Sequence, residues 1–149
     1  MNRFFSRRPF ALLLAAVGVL VPAVAAQAEQ RAYASRGTAQ FVTANGFVGT
    51  GTATHLGRYD EEGTAHFSPT ADPAVFQVDA AATYTAANGD QLYAVFTGHL
   101  DFVTGNVTAT VTYVGGTGRF ADASGTATLS GQRFADGSIQ IDVDGTIDF

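Results

Sequence analysis

The stretch Gly-Gly-Thr-Gly-Arg-Phe-Ala-Asp-Ala-Ser-Gly, from Gly115 to Gly125, is where this chain of 149 residues stops alternating between apolar and polar side chains. Residues 106–113 before it and 125–131 after it place apolar and polar side chains at alternate positions. A period of two is typical of a β-strand with one dry face and one polar face. The stretch is therefore predicted to be the corner between two long antiparallel strands.

Three glycines in this corner, Gly115, Gly116 and Gly118, supply backbone freedom where the chain turns. A Gly-x-Gly-x-x-Ala spacing within it also matches a dinucleotide-binding fingerprint. That motif opens a helix, whereas strand alternation resumes here at Gly125. The corner is therefore predicted to be mechanical, with Gly118 at positive φ and Phe120 buried as a plug under one end of the fold.

Turn signals rich in Gly, Asn, Asp and Pro interrupt the alternation along the chain and predict about eight strands. The predicted ranges are 36–43, 47–55, 58–68, 74–86, 90–101, 106–115, 124–133 and 138–149. Short links favour an up-and-down order, and closure of eight strands removes the exposed edges of an open sheet. The predicted fold is all-β: an eight-stranded antiparallel up-and-down barrel.

Residues 1–28 are predicted to be a signal peptide outside the fold. A start that contains three arginines precedes an apolar run of about 15 residues, which is shorter than the ~20 that span a bilayer as a helix. Ala-Gln-Ala at 26–28 supplies a cleavage pattern, and Ser-Arg-Arg-Pro-Phe at 6–10 also fits a twin-arginine signal. We expect one barrel domain at 29–149, exported by the Sec or the twin-arginine route to the periplasm or the medium.

Charge and composition exclude several classes of function. Residues 29–149 hold five arginines, no lysine and all 13 acidic residues, a net charge of about -8. Nucleic acid is therefore not an expected partner, because phosphate binding requires basic side chains. The chain has no cysteine, which excludes disulfides and thiolate metal ligands. No cofactor is predicted.

The apolar face of the strands is assigned to the lumen of the barrel. Many positions on this face are Gly or Ala, such as Gly49, Gly51 and Ala80, and these either permit tight coiling of the barrel or leave a cavity. Side chains on the same face that offer an aromatic surface or a polar group are the candidate contacts to a small ligand. They are His55, Tyr84, Phe96 and Tyr113.

Acid–base catalysis needs two titratable groups that face one pocket. The aspartates of the predicted strands fall on the polar face, and the run Asp60-Glu61-Glu62 is interpreted as a solvated turn. His66 and His99 share faces with polar side chains, so only His55 falls on the inward face. The sequence therefore predicts neither an inward pair of carboxylates nor a metal site.

The corner resembles the Gly-Gly-Thr-Gly-x-Phe-x-x-Ala-x-Gly corner of dirigent proteins and, more loosely, that of allene oxide cyclases. Gly-Thr-Ala-Thr-His-Leu-Gly at 51–57 and Asn-Gly-Asp at 88–90 are similar to segments of secreted bacterial relatives of that barrel superfamily. The resemblance implies an eight-stranded antiparallel barrel with an apolar lumen, which is trimeric in many plant members. It assigns no role to a particular lumen residue.

Three functions follow as hypotheses. The first is an exported barrel that holds a small apolar molecule, or serves a structural role, without turnover. The second is a cyclase, isomerase or stereo-directing protein that acts on an apolar intermediate by positioning it. The third is a small outer-membrane barrel, since Phe149 ends an alternation that begins at Ile139; the apolar face would then turn to lipid and the aspartates inward. Short loops and the lack of tryptophan argue against this third hypothesis.

Overall fold

The computed structural model describes residues 29–149, and the predicted signal peptide lies outside this range. Eight strands and one 3-10 helix, Gly118–Phe120, make up the described chain. The strands are β1 (Arg31–Phe41), β2 (Gly46–Ala53), β3 (Gly57–Pro69), β4 (Val75–Ala86), β5 (Gln91–Asp101), β6 (Asn106–Gly116), β7 (Ser124–Arg133) and β8 (Ser138–Asp148). The predicted number of strands is confirmed.

The strands form one closed antiparallel barrel in sequence order. Each strand pairs with the next along the chain, and β8 returns to pair with β1, where Tyr33 lies opposite Gly145. Closure leaves no strand edge of this sheet without a partner. The predicted up-and-down barrel is confirmed. Within residues 29–149, no helix is long and apolar enough to cross a membrane.

The two faces of the wall are oriented as the alternation predicts. Buried side chains such as Val111, Leu129 and Val143 point into the barrel, whereas Thr110 and Asp144 are exposed on its outer face. The outer-membrane hypothesis requires the opposite orientation, with the aspartates inside.

The predicted strand boundaries differ from the structure by more than one residue in β1 and β2. β1 begins at Arg31 instead of residue 36, because its first residues pair with β8 at the other end of the sequence. β2 ends at Ala53, so His55 lies in the turn that leads to β3 rather than on a strand. Both errors concern residues that contribute to the lumen or to its cover.

The strand order places two kinds of connection at the two ends of the barrel. We call one end the closed end; it carries both ends of the described chain and the connections 54–56, 87–90 and 117–123. We call the other end the open end; its connections are 42–45, 70–74, 102–105 and 134–137. The longest of the seven connections, 117–123, contains the 3-10 helix and lies at the closed end.

At the closed end, Phe120 is fully buried and its ring centroid lies 5.0 Å from that of Phe149. Gly118 has a φ of 55°, in the left-handed region that favours glycine. The predictions for Gly118 and Phe120 are both confirmed. Thr117 stands at the N-cap of the helix, but its hydroxyl accepts the backbone N–H of Gln91 instead of an N–H of the helix. This bond ties the corner to β5.

At the open end, inward-pointing phenylalanines form a half-buried rim, which consists of Phe41, Phe47, Phe67 and Phe76. Further out, Phe102 is 47% exposed and Val103 is 81% exposed. Inward side chains one layer deeper, such as Val78, Ala80 and Val107, are also only half-buried. Leu100 and Ile139 at this end are buried, so the lumen is only in part less covered here than toward the corner.

Candidate functional site: a buried carboxyl among tyrosines

The charge run Asp60-Glu61-Glu62 lies inside β3 and not in a turn, which corrects the interpretation from sequence. Strand alternation sends Asp60 and Glu62 to the outer face, where both are exposed, and sends Glu61 into the barrel. Glu61 is only 7% exposed. The expectation that carboxylates stay out of the lumen is therefore wrong for this residue, although Glu61 stands there as a single acid and not as a pair.

Glycines on the neighbouring strands make room for Glu61 and for Tyr59 beside it. Gly49 pairs directly with Glu61, and a Cβ at Gly49 would lie 2.7 Å from Oε2 of that carboxyl. A Cβ at Gly51 would lie 2.5 Å from the Tyr59 hydroxyl, and one at Gly37 would lie 2.6 Å from it. The space beside these glycines is therefore filled by the longer side chains of β3, which rest against the wall formed by β1 and β2.

Four tyrosines from four strands form a buried group beside the carboxyl, and Tyr84 is the direct partner of Glu61 across β3 and β4. The ring centroids of Tyr59 and Tyr84 are 5.1 Å apart with nearly perpendicular planes, and those of Tyr33 and Tyr113 are 4.9 Å apart. All four rings are buried. The Tyr59 hydroxyl lies 3.0 Å from Oγ of Ser35, in a buried hydrogen bond. The lumen thus contains a polar cluster, which we define as Tyr33, Ser35, Tyr59, Glu61, Tyr84 and Tyr113.

Burial dominates the electrostatics of this cluster. Loss of hydration raises the pKa of Glu61 from 4.5 to about 7, although a hydrogen bond from the Tyr84 hydroxyl favours the ionised form and lowers it in part. Burial likewise raises the pKa of Tyr84, and the neighbouring Glu61 adds to the increase. The pKa values of Tyr33 and Tyr113 are raised mainly by burial. The tyrosines are therefore neutral hydrogen-bonding groups, and Glu61 is the group that titrates near neutral pH.

Glu61 has no basic partner in the described chain. It is the one buried side chain with a formal charge among residues 29–149. The two ion pairs in this part of the chain are Arg36 with Asp142 on the outer face, and Arg119 with Asp90 at the corner. A buried carboxylate without a counter-ion is costly, so this site favours either a proton or a cation at Glu61.

The four ligand contacts predicted from the sequence have different positions. Tyr84 and Tyr113 belong to the polar cluster, and Phe96 is buried in the same apolar core. His55 is not brought to this cluster. It lies half-buried in the turn after β2 with a φ of 71°, and its Nε2 is 3.0 Å from the Ala32 carbonyl oxygen. Its ring packs against Phe149, so the contacts of His55 are with the cover of the closed end.

Sequence reasoning missed four residues of the cluster: Tyr33, Ser35, Tyr59 and Glu61. The first two lie on the part of β1 that was not predicted to be strand. The other two had a signal, because Tyr59, Glu61, Gly63 and Ala65 continue one inward alternation along β3. Reading parity back from Ala65 would have placed Glu61 inside in spite of its charge.

The cluster can do two things chemically. The carboxyl and the phenols can bind a hydroxyl, carbonyl or amino group on an otherwise apolar molecule. A carboxyl with a pKa of about 7 can also accept and return a proton at neutral pH. A broad groove of about 950 Å³ lies on the outer face and is lined in part by Arg36, Arg58 and Asp60.

Comparison with known proteins adds no relative to this picture. No protein-family model matches the chain, and no curated protein or solved structure gives a significant match. The structure itself defines the class of fold, which is a small closed eight-stranded antiparallel β-barrel with a polar cluster inside it.

Proposed function

We propose that this protein is an exported barrel that binds one small, mostly apolar molecule in its lumen. The molecule enters from the open end and places a hydrogen-bonding group against Glu61 and the tyrosine hydroxyls. The observation that carries the proposal is the buried polar cluster at the head of an apolar lumen whose far end is less covered. Pockets that are mostly apolar with a few convergent polar groups are typical of small-molecule sites.

The gradient of burial along the lumen supports this direction of entry. Near the corner, Leu92, Phe120 and Ile147 are fully buried. Toward the other end, Val78 and Val107 are half-buried, whereas Leu100 and Ile139 are buried there. A molecule that approaches from the open end meets apolar walls first and the polar cluster last.

The resemblance of the corner to those of dirigent proteins and allene oxide cyclases supports the same proposal, because an apolar lumen is what that superfamily implies. Within the proposal the protein is a secreted bacterial member of the superfamily, carried to the periplasm or the medium by residues 1–28, and it is a homotrimer by the same resemblance. Native mass spectrometry of protein isolated from its own host tests the oligomeric state and reports a co-purifying ligand.

Binding is tested with two probes that differ by one hydroxyl, naphthalene and 2-naphthol. We expect isothermal titration calorimetry to detect both and to show tighter binding of 2-naphthol, since its hydroxyl can bond to the cluster. The lumen is probed with Ala80→Phe, which fills the half-buried inward layer of β4, and we expect at least about tenfold weaker binding. The matched control is Ala81→Phe, the same change at the next residue, which is exposed on the outer face.

Equal affinity of the two variants for the probes would exclude the lumen as the binding site. If neither probe binds to the native protein, the proposal is wrong. Circular dichroism and thermal melting establish that each variant is folded. If Ala80→Phe does not fold, Val107→Phe fills the same half of the lumen from β6 and is used in its place.

Glu61 favours a second candidate function, an isomerase or cyclase. The sequence predicted no inward pair of acids, and the structure has one inward acid, whose pKa is raised to about 7. In this candidate the Glu61 carboxylate takes a proton from a carbon next to a carbonyl and returns it to the far end of the resulting dienolate, while tyrosine hydroxyls donate to the oxygen.

Conversion of 3-cyclohexen-1-one into the conjugated 2-cyclohexen-1-one involves this double proton transfer and is followed by ultraviolet absorbance. We expect the rate to rise as the pH passes through about 7, because the ionised carboxylate is the base. Glu61→Gln should reduce the rate to background, whereas Glu62→Gln on the outer face should leave it unchanged. A rate that is equal in these two variants would exclude Glu61 as the base.

A further inference from the structure

The charge balance of the lumen indicates which class of ligand the proposed site would bind. Glu61 is buried, and no basic side chain of residues 29–149 is buried with it. Basic groups nearest the two ends lie in contact with other partners: Arg31 stacks on Phe149 at the closed end, and Arg133 stacks on Phe102 at the open end. The interior therefore offers a negative charge that no side chain of the described chain neutralises.

The surroundings of Glu61 suit a cation better than they suit an anion. Four electron-rich rings, those of Tyr33, Tyr59, Tyr84 and Tyr113, lie in the same buried cluster. A positive charge over the face of a tyrosine ring is attracted by the ring, and the attraction grows when water is excluded. A carboxylate ligand would find neither a basic side chain nor a counter-ion in this lumen.

Glycines on β1 and β2 determine where two polar tips of the cluster lie. Because Gly49 has no side chain, Oε2 of Glu61 rests against β2, and because Gly37 and Gly51 have none, the Tyr59 hydroxyl rests against β1 and β2. Ser35 holds that hydroxyl in place through its hydrogen bond. Both polar tips therefore lie along the part of the wall that β1 and β2 form.

We propose that the ligand of this lumen is an apolar amine, bound as its ammonium form with the Glu61 carboxylate as counter-ion and the tyrosine rings around it. This inference rests on the proposed function and specifies the class of ligand for the same site. The net charge of about -8 over residues 29–149 also favours a cationic ligand, since it attracts cations and repels fatty acids and other anions.

Binding of an ammonium group should depend on pH through Glu61. The titratable groups beside it are the phenols of Tyr59 on its own strand, Tyr84 on β4 and Tyr33 on β1, with Tyr113 on β6 in contact with Tyr33, and burial keeps all four neutral. The facing residue of β2 is Gly49, which does not titrate. As the pH falls below about 7, Glu61 takes up a proton and the amine loses its counter-ion. Affinity should therefore decrease on acidification.

Three naphthalene probes test the inference by calorimetry with the purified protein: 1-naphthylmethylamine, 2-naphthol and 2-naphthoate. Near neutral pH we expect the amine to bind at least about tenfold more tightly than 2-naphthol, and 2-naphthoate to bind more weakly than both. Lowering the pH from about 8 to about 5.5 should weaken the binding of the amine and leave the binding of 2-naphthol little changed.

Glu61→Gln keeps the shape of the side chain and removes its charge, so it should erase the preference for the amine. Glu62→Gln makes the same chemical change one residue further on, at an exposed position, and should retain the preference. Near-ultraviolet circular dichroism of the tyrosines shows whether the cluster is intact in Glu61→Gln, and Glu61→Asp serves as a charge-retaining variant in which the preference should persist in part.

Equal affinity for the amine and 2-naphthol, tighter binding of 2-naphthoate, or a preference that survives in Glu61→Gln would overturn the inference. If 2-naphthol still binds in the lumen in that case, the proposed function stands and only the class of ligand is wrong. If none of the three probes binds, the proposed function fails as well.

Discussion

The closed end and the open end of this barrel are built from the same kind of strand and differ in their connections. The connection 117–123 at the closed end is long enough to form a 3-10 helix and to fold Phe120 across the lumen. Each connection at the open end has only four or five residues, which suffices to reverse a strand and not to cover the barrel. Whether an end of this barrel is sealed therefore depends on the length of one connection and on where that connection places a large side chain.

This difference decides how the polar cluster can be reached. Tyr33, Tyr84 and Tyr113 lie in one buried core with Leu92 and Phe120, so the corner shields the cluster from the closed end. The half-buried rim of phenylalanines leaves the opposite approach less obstructed. The following changes test this contrast between the two ends.

The largest effect is expected from Phe120→Ala. The side chain is fully buried, and its removal should leave a cavity at the closed end and cost about 3–5 kcal/mol of unfolding free energy. Phe102→Ala at the open end is the matched change, and since Phe102 is 47% exposed we expect a loss below about 1 kcal/mol. Urea denaturation monitored by circular dichroism measures both. Similar losses for the two variants would contradict the distinction between a sealed and an open end.

A change of pH should have the next largest effect, through Glu61. Its pKa in the folded protein, about 7, lies above its ordinary value of 4.5, so the folded protein retains a proton that the unfolded chain loses between these values. The resulting decrease in the free energy of unfolding is absent below about pH 4.5, grows as the pH rises toward 7, and is constant above pH 7. Its full size is on the order of 3 kcal/mol.

The measurement is the difference in unfolding free energy between the native protein and Glu61→Gln across this pH range, because the other titrating groups then cancel. We expect the native protein to lose stability relative to the variant as the pH rises. Glu62→Gln, at its exposed position, should show no such trend. A flat difference for Glu61→Gln would mean that water reaches the carboxyl and that the cluster is not sealed.

The smallest effect concerns the buried hydrogen bond between Ser35 and Tyr59. A double-mutant cycle with Ser35→Ala and Tyr59→Phe should give a coupling free energy of about 1 kcal/mol, since both hydroxyls are in a buried environment. The outer-face bond from the Tyr93 hydroxyl to the Gln91 side chain is the comparison, and its coupling should be below about 0.5 kcal/mol because water competes for both groups. A stronger coupling for the outer pair would contradict this ranking.

Much of the fold could be predicted because its determinants are local. Alternation along each strand placed Val111, Leu129 and Ile147 inside, and turn residues separated the strands at about the observed positions. The corner was also predictable in detail, since Gly118 adopts a positive φ and Phe120 is buried. These features depend on residues that are close neighbours in sequence.

The candidate site was predicted only in part, because it depends on contacts between distant strands. Tyr33 and Ser35 pair with residues of β8 more than a hundred positions away, and Ser35 also pairs with Ala53 of β2. Glu61 was assigned to solvent because of its charge, although the alternation of β3 directs it inward. His55 was assigned inward by alternation, although the strand ends before it.

The sequence by itself determined the eight strands, their order, the faces that most side chains take, and the mechanical role of the corner, since period and turn chemistry act over a few residues. Only the tertiary structure decided that the inward glycines accommodate Tyr59 and Glu61, that four tyrosines from separate strands lie in one buried core beside a carboxyl, and that Phe120 is buried at one end. The physical reason is barrel closure, which sets the distance across the lumen and the burial of every group within it.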